Sequence, residues 1–186
     1  MSRAVVLSRK EIHRGRILDI GIERVRLPSG AETDLEVIRH PGAAAVVPLT
    51  ERGEILLLHQ FRHAVDGMLW EIPAGTLASG ESPRDCALRE LVEEAGTSAG
   101  ELLDLGEVVP APGYTTERIR LFLARSLTPA SQNLDDDEVI AEVRPVPVED
   151  VVRKIADGEI VDAKSVVAIC RAHERGLLGA GARRRG

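Results

Sequence analysis

The sequence predicts an α/β fold: a mixed β-sheet between helices, preceded by a small N-terminal β element. Three observations carry this. Up to about residue 40, apolar and polar residues alternate with the period of half-buried strands, as in "DIGIERVRL". Further on, strand-like runs recur at 43–49, 54–62, 103–113, 118–127 and 139–148. Between and after them stand three stretches of helical character, at 83–95, 149–160 and 163–178.

In chain order, "LPSGAET" is a turn between "DIGIERVRL" and "DLEVIRH", which reads as a hairpin. "AAAVVPL" and "EILLLHQFR" flank "TERGE", a second expected hairpin. "LWEIPAG" is a short strand ending in a Pro/Gly turn. The next segment is a well-punctuated helix. Ser82 suits the N-cap, Pro83 the first helical position, Asp85 the acid of a capping box and Gly96 the C′ position. Leu88, Leu91, Val92 and Ala95 form a stripe expected to face the core, with Glu90, Glu93 and Glu94 on the opposite side. "EDVVRKIADGEI" and "AKSVVAICRAHERGLL" are two further helices, the first closed by Gly158. The organisation expected is an N-terminal hairpin element over residues 1–41, a main domain over 42–178, and a small, basic, disordered tail over 179–186.

Composition narrows the function. A chain of 186 residues, 44% apolar and 29% charged, supports one sizeable core. A net charge of −6 argues against nucleic acid as a partner. Two cysteines make neither a disulfide framework nor a cysteine zinc site, and suit a reducing compartment. No signal-peptide pattern and no membrane span is expected, so the cytoplasm is the expected location.

The acidic cluster on the central helix asks for an explanation. Glu90, Glu93 and Glu94 sit in the C-terminal half of that helix, where the dipole disfavours negative charge, so a cation is expected there. Glutamates four apart project from one face about a turn apart, and Mg²⁺ prefers carboxylate and water oxygens. The spacing is Gly75, five residues, Glu81, seven residues, Arg89-Glu90, Leu91, one residue, Glu93-Glu94, one residue, Gly96, Thr97. At roughly 7% per position, its seven glycine and charged positions agree by chance on the order of once in 10⁸.

This pattern resembles the Nudix box, the signature of hydrolases acting on nucleoside diphosphates linked to another group. Thr97 departs from it, since an aliphatic residue is usual there. The resemblance implies a Nudix fold and Mg²⁺, two or three ions with Mn²⁺ as a substitute. Glu90 and Glu94 would hold ions side by side, with Glu93 at the rim and the Ala74 carbonyl as a further ligand. Gly75 lets the backbone approach. Arg89 and Glu81 pair to orient loop and ligands.

Flanking stretches are similar to those of ADP-ribose pyrophosphatases. They are "HQFRHAVDGMLWEIPAG" before the box and "VVPAPGYTTERIRLFLAR" after it. By that likeness Arg62 contacts phosphate or ribose, Glu71 helps bind substrate, and Arg39 is a second phosphate candidate. Pro112, Gly113, Tyr114 and Glu117 also line the substrate. The general base comes from the late acidic loop, with Glu138 first and Asp137 and Glu142 as alternatives. Residues 1–60 contain no Phe, Tyr or Trp, so Ile17, Leu18 or Arg16 would have to replace an aromatic adenine stack. The resemblance also implies a homodimer formed through the N-terminal element. The implied reaction is Mg²⁺-dependent hydrolysis of ADP-ribose to AMP and ribose 5-phosphate. ADP-glucose or GDP-mannose as substrate, or a non-catalytic nucleotide sensor, are the rivals.

Overall fold

The structure, a computed structural model, describes residues 3–134 and 139–179. It divides into two units. The first runs to Gly42 and includes Val109–Arg118; the second comprises Ala43–Val108 and the chain from Ile119 onward.

In the first unit, β1 (Val5–Arg14), β2 (Asp19–Arg26) and β3 (Glu32–Arg39) form an antiparallel sheet with β2 in the centre. The β2–β3 turn closes through Gly30, whose φ of 88° lies in the left-handed region that glycine enters without penalty. The segment after Val109 joins this unit by backbone pairing: Ile38 donates to the Tyr114 carbonyl and Thr116 donates to the Ile38 carbonyl, at 2.8 and 2.9 Å.

The second unit contains β4 (Ala43–Pro48), β5 (Glu54–Arg62), β6 (Gly67–Glu71), β7 (Ala74–Thr76), α1 (Pro83–Ala95), β8 (Thr97–Val108), β9 (Ile119–Pro129), β10 (Ile140–Pro147), α2 (Val148–Ala156) and α3 (Ala163–Glu174). A mixed sheet runs β7-β4-β9-β8, with β4 and β9 parallel. A second, antiparallel sheet runs β10-β5-β6. Every residue of β4 is buried, and side-chain alternation explains how. Ala43, Ala45 and Val47 pack in the cluster that holds Ala168, Ile169 and Ala172 of α3. Ala44 and Val46 pack in the cluster that holds Cys86, Ala87 and Leu91 of α1. The mixed sheet is thus covered by a helix on each face, as predicted. Each fully buried Val, Leu or Ile there contributes about 1.5–3 kcal/mol. Among the described residues no helix is long and apolar enough to cross a membrane.

One expectation fails. Residues 43–49 and 54–62 do not pair as a hairpin. The turn itself forms, with Thr50 donating to the Glu54 carbonyl at 2.8 Å, but the strands separate into different sheets after an isolated Leu49–Ile55 bridge. Both edges of β4 are taken, by β7 and β9, so β5 has no edge to join. The tail expected to be disordered lies, from residue 180, outside the described residues.

Candidate active site

Helix α1 is capped as the sequence predicts. The Ser82 hydroxyl accepts from the Asp85 N–H at 3.2 Å, Pro83 opens the helix, and Gly96 closes it at φ 60°. Thr97 is buried at the start of β8 and donates its hydroxyl to the Ala95 carbonyl at 3.1 Å. The faces of α1 differ from the expectation. Leu91 and Ala95 are buried, but so are Glu90 and Glu94, at 6% and 1% exposure, while Leu88 and Val92 are only half-buried. The two carboxylates do not stand on a solvated face; they turn inward against strand β7.

That strand has the shape to receive them. Gly75 faces the Glu90 carboxylate so closely that a methyl group there would overlap Oε1 and Cδ, and would stand 2.9 Å from Oε2. Glu94 Oε2 accepts the Ala74 N–H at 2.8 Å. Arg89 binds the remaining carboxylates. Its Nε donates to Glu81 Oε1 at 2.9 Å, and its Nη1 donates to both Glu90 Oε1 and Glu93 Oε2 at 2.7 Å. The hydrogen bond from Arg89 holds the Glu81 carboxyl down at about 2. Arg89 is itself shifted upward, first by Glu81. Burial pushes the Cys86 thiol up to about 12, with the charges of Glu90 and Glu81 adding to it, so this neighbour stays a neutral thiol. Its Sγ donates to the Gly75 carbonyl at 3.4 Å.

A second ionic group lies on the inner face of β5 and β6. Glu71, 2% exposed, accepts from Arg62 Nε at 3.1 Å and Nη2 at 2.7 Å, and from Lys164 Nζ at 2.8 Å. Burial alone would raise the Glu71 carboxyl, yet the Arg62 hydrogen bond and the Lys164 and Arg62 charges leave it lowered. Arg62 is raised by its bond to Glu71, with smaller contributions from the Glu94 and Asp162 charges, which ties this group electrostatically to the α1 carboxylates. Lys164 was missed by sequence reasoning. Its signal lay in the start of α3, where Asp162 accepts from Ser165 N at 3.0 Å and stands 3.1 Å from Lys164 Nζ.

The acidic loop is bracketed by contacts the sequence did not reveal. Asn133 donates to the Glu93 carbonyl at 3.1 Å, and Gln132 donates to the Glu94 carbonyl at 2.6 Å. Beyond the loop, the Val139 carbonyl accepts from Phe61 N at 2.9 Å. Glu138 and Asp137 lie outside the described residues. Glu142 pairs opposite His59, and Arg144 holds both its oxygens, at 2.6 and 2.7 Å. Arg144 in turn lies over Trp70, and Trp70 stacks on His59, so Glu142 is on the face of β5 opposite Arg62.

The other substrate candidates belong to the first unit. Arg39 Nε donates to the buried Glu23 at 3.0 Å. Pro112 and Gly113 form a turn in which the Ala111 carbonyl accepts from Tyr114 N at 3.3 Å, and the Tyr114 ring is exposed. The Glu117 carboxylate stands 4.0 Å from His40 Nδ1. Ile17 and Leu18 are exposed as well.

The donors around Ala74 and Gly75 are carboxylate and carbonyl oxygens, the set a hard divalent cation takes. A glycine that leaves room for one of those carboxylates against the backbone fits the same purpose. Among the described residues no three His, Cys, Asp or Glu side chains already converge as a ligand set. Arg89 and the Ala74 N–H engage these oxygens instead.

Comparison with known proteins places the chain in a family. The family model described as NUDIX domain matches residues 39–168. The ADP-ribose pyrophosphatase of Bacillus subtilis is 38% identical over 165 residues, 88% of this chain and 89% of that protein. The GDP-mannose pyrophosphatase of Klebsiella pneumoniae is 34% identical over 163 residues, 78% of this chain and 81% of the relative. A solved structure described as an ADP compounds hydrolase superposes with a TM-score of 0.81, covering 94% of this chain and 95% of its own, at 21% identity.

Proposed function

This chain belongs to the NUDIX domain family, and from that premise we propose that it hydrolyses the pyrophosphate of ADP-ribose, giving AMP and ribose 5-phosphate. The observation that carries the reading is the seat formed by Gly75, Glu90, Glu94 and Ala74, buried yet built of charged oxygens. Arg89 and the Ala74 N–H pair these buried carboxylates, whose oxygens are the ligand type a hard divalent cation takes. Glu90, Glu93, Glu94 and the Ala74 carbonyl would hold Mg²⁺, two or three ions with Mn²⁺ as a substitute. When bound, Mg²⁺ neutralises the pyrophosphate and orients the displacement.

The chain's own residues do the rest. Arg89 fixes Glu81, Glu90 and Glu93 in one array. Glu71 and Lys164 set the position of Arg62, which binds phosphate or ribose. Arg39, Pro112, Gly113, Tyr114 and Glu117 contribute to substrate binding. Glu138 accepts a proton from the attacking water as the P–O bond to the leaving phosphate breaks. The described residues that flank it support that role: Asn133 donates to the Glu93 carbonyl of α1, and the Val139 carbonyl accepts from Phe61 of β5.

ADP-ribose is favoured over GDP-mannose because the B. subtilis relative agrees over more of both chains. The cysteines Cys86 and Cys170 are unbonded, which supports a cytoplasmic setting. A homodimer assembled through the N-terminal element is part of the proposal. The test is a panel of nucleoside diphosphate sugars assayed with Mg²⁺ and with excess chelator. AMP release from ADP-ribose, silenced by chelator, is expected; full turnover in chelator refutes the metal-assisted reaction.

A further inference from the structure

Gln60 has no part in the site described so far. It is 2% exposed, and its Oε1 has no hydrogen-bond partner. The other such atom among the described residues, Arg9 Nε, has the Glu23 carboxylate 3.6 Å away. A buried acceptor left unpaired is destabilising, and native interiors contain few of them.

Its place on the strand says what the atom faces. Side chains two apart on a strand share a face, so Gln60 stands between Leu58 and Arg62. Leu58 packs with Cys86 and Leu91 of α1 and pairs opposite Glu71. Arg62 binds Glu71 and senses the charge of Glu94. The side chain that carries the unpaired oxygen therefore lies on the face of β5 that carries Arg62, beside the ionic group of Arg62 and Glu71.

An amide oxygen only accepts. Ionised phosphates are themselves acceptors, so the pyrophosphate offers it no donor. The donors that flank a pyrophosphate in a nucleoside diphosphate sugar are sugar hydroxyls. We propose that Gln60 Oε1 is a substrate contact that accepts a hydrogen bond from a sugar hydroxyl next to the pyrophosphate, an inference that rests on the pyrophosphohydrolase reading above. Gln60 would help to select sugar-linked diphosphates over bare ones.

The test uses Gln60→Met and Gln60→Leu, which fill the volume and remove the acceptor. The measurements are the thermal midpoint, steady-state constants for ADP-ribose, and inhibition by ADP, ribose 5-phosphate and inorganic pyrophosphate. The midpoint should hold or rise, KM should rise about tenfold, the loss of one hydrogen bond of ~1.4 kcal/mol, and kcat should stay within about twofold. Inhibition by pyrophosphate should not change. Weaker ADP inhibition places the hydroxyl on the nucleoside sugar, and weaker ribose 5-phosphate inhibition places it on the other sugar. An unchanged KM, a loss confined to kcat, an equal loss for pyrophosphate, or a lowered midpoint in both variants overturns the proposal. A wild type silent on ADP-ribose but active on another diphosphate sugar displaces the substrate reading alone. The same variants are then measured on that sugar.

Discussion

Replacing Gly75 with alanine isolates the seat of Glu90 from the rest of the fold. The added methyl would overlap Oε1 and Cδ of Glu90 and lie 2.9 Å from Oε2. Restoring a carbon–oxygen separation of ~3.5 Å moves the carboxylate by well over ~1 Å. The obstructing atoms are the end of a flexible side chain, so Glu90 can swing away without breaking the sheet. Gly75 is not among the residues with positive φ, so alanine brings no backbone strain. Its smaller unfolded-state entropy even offsets part of the disturbance, by about 0.4–1 kcal/mol. A misplacement of about 1 Å in a reacting constellation costs on the order of 10² in rate, which is ~2.7 kcal/mol of barrier. Steady-state hydrolysis of ADP-ribose with saturating Mg²⁺, alongside a thermal melt, separates the two effects. The expected result is kcat reduced about 10²-fold with a midpoint shifted by only a few degrees. Wild-type kcat would refute the claim that this contact positions Glu90 for the reaction. A collapsed midpoint would refute the claim that the fold tolerates its loss.

Three further outcomes follow from the same geometry. Glu94→Gln can still accept the Ala74 N–H through its amide oxygen, so the fold should survive while turnover falls by about 10² or more; inactivity explained by unfolding would make Glu94 structural. The Glu81 carboxyl is lowered to about 2 in the folded chain, so its stabilising contribution is present above its unfolded value near 4.5 and is lost as pH falls toward 2. Acid unfolding curves of Glu81→Gln should therefore converge with wild type in that window, and curves that stay parallel below it count against the Arg89 pairing. Deleting residues 1–41 should abolish both dimerisation and ADP-ribose binding, as read by sedimentation and calorimetry, and an active monomeric remainder would remove the N-terminal element from the site.

The central helix was legible because its signals are local. Ser82, Pro83 and Gly96 act within a turn of themselves, and the structure places each as read, whereas the Asp85 carboxylate takes the Ser82 hydroxyl in place of the N–H a capping box would use. Burial of Glu90 and Glu94 was not legible from the stripe, because helical periodicity records which residues avoid water only when the opposing surface is apolar. Here the opposing surface is the backbone at Ala74 and Gly75, and only Gly75 hinted at it. The partner of β4 was hidden for a related reason. Alternation gives the faces of a strand, whereas β4 pairs in parallel with β9, far along the chain. Lys164 was hidden because its partner Glu71 lies 93 residues away. The orphaned oxygen of Gln60 is a vacancy in a hydrogen-bond inventory, which only coordinates reveal.

The segment Val109–Arg118 belongs with the first three strands, although its flanking strands β8 and β9 belong to the other unit. The order of synthesis therefore constrains assembly. On the ribosome the hairpins of residues 5–39 can pair early, but His40 N must wait for the Thr116 hydroxyl, 76 residues downstream, and Ile38 must wait for Tyr114 and Thr116. Closing a loop of 76 residues costs about 4 kcal/mol of chain entropy. The nascent N-terminal sheet thus stays an open three-stranded ribbon while those 76 residues are made, and its Val5, Val6, Leu7 and Ile12 are exposed even in the finished chain. In that interval the edge of β3 at Ile38, which later pairs with Tyr114 and Thr116, is open to another strand.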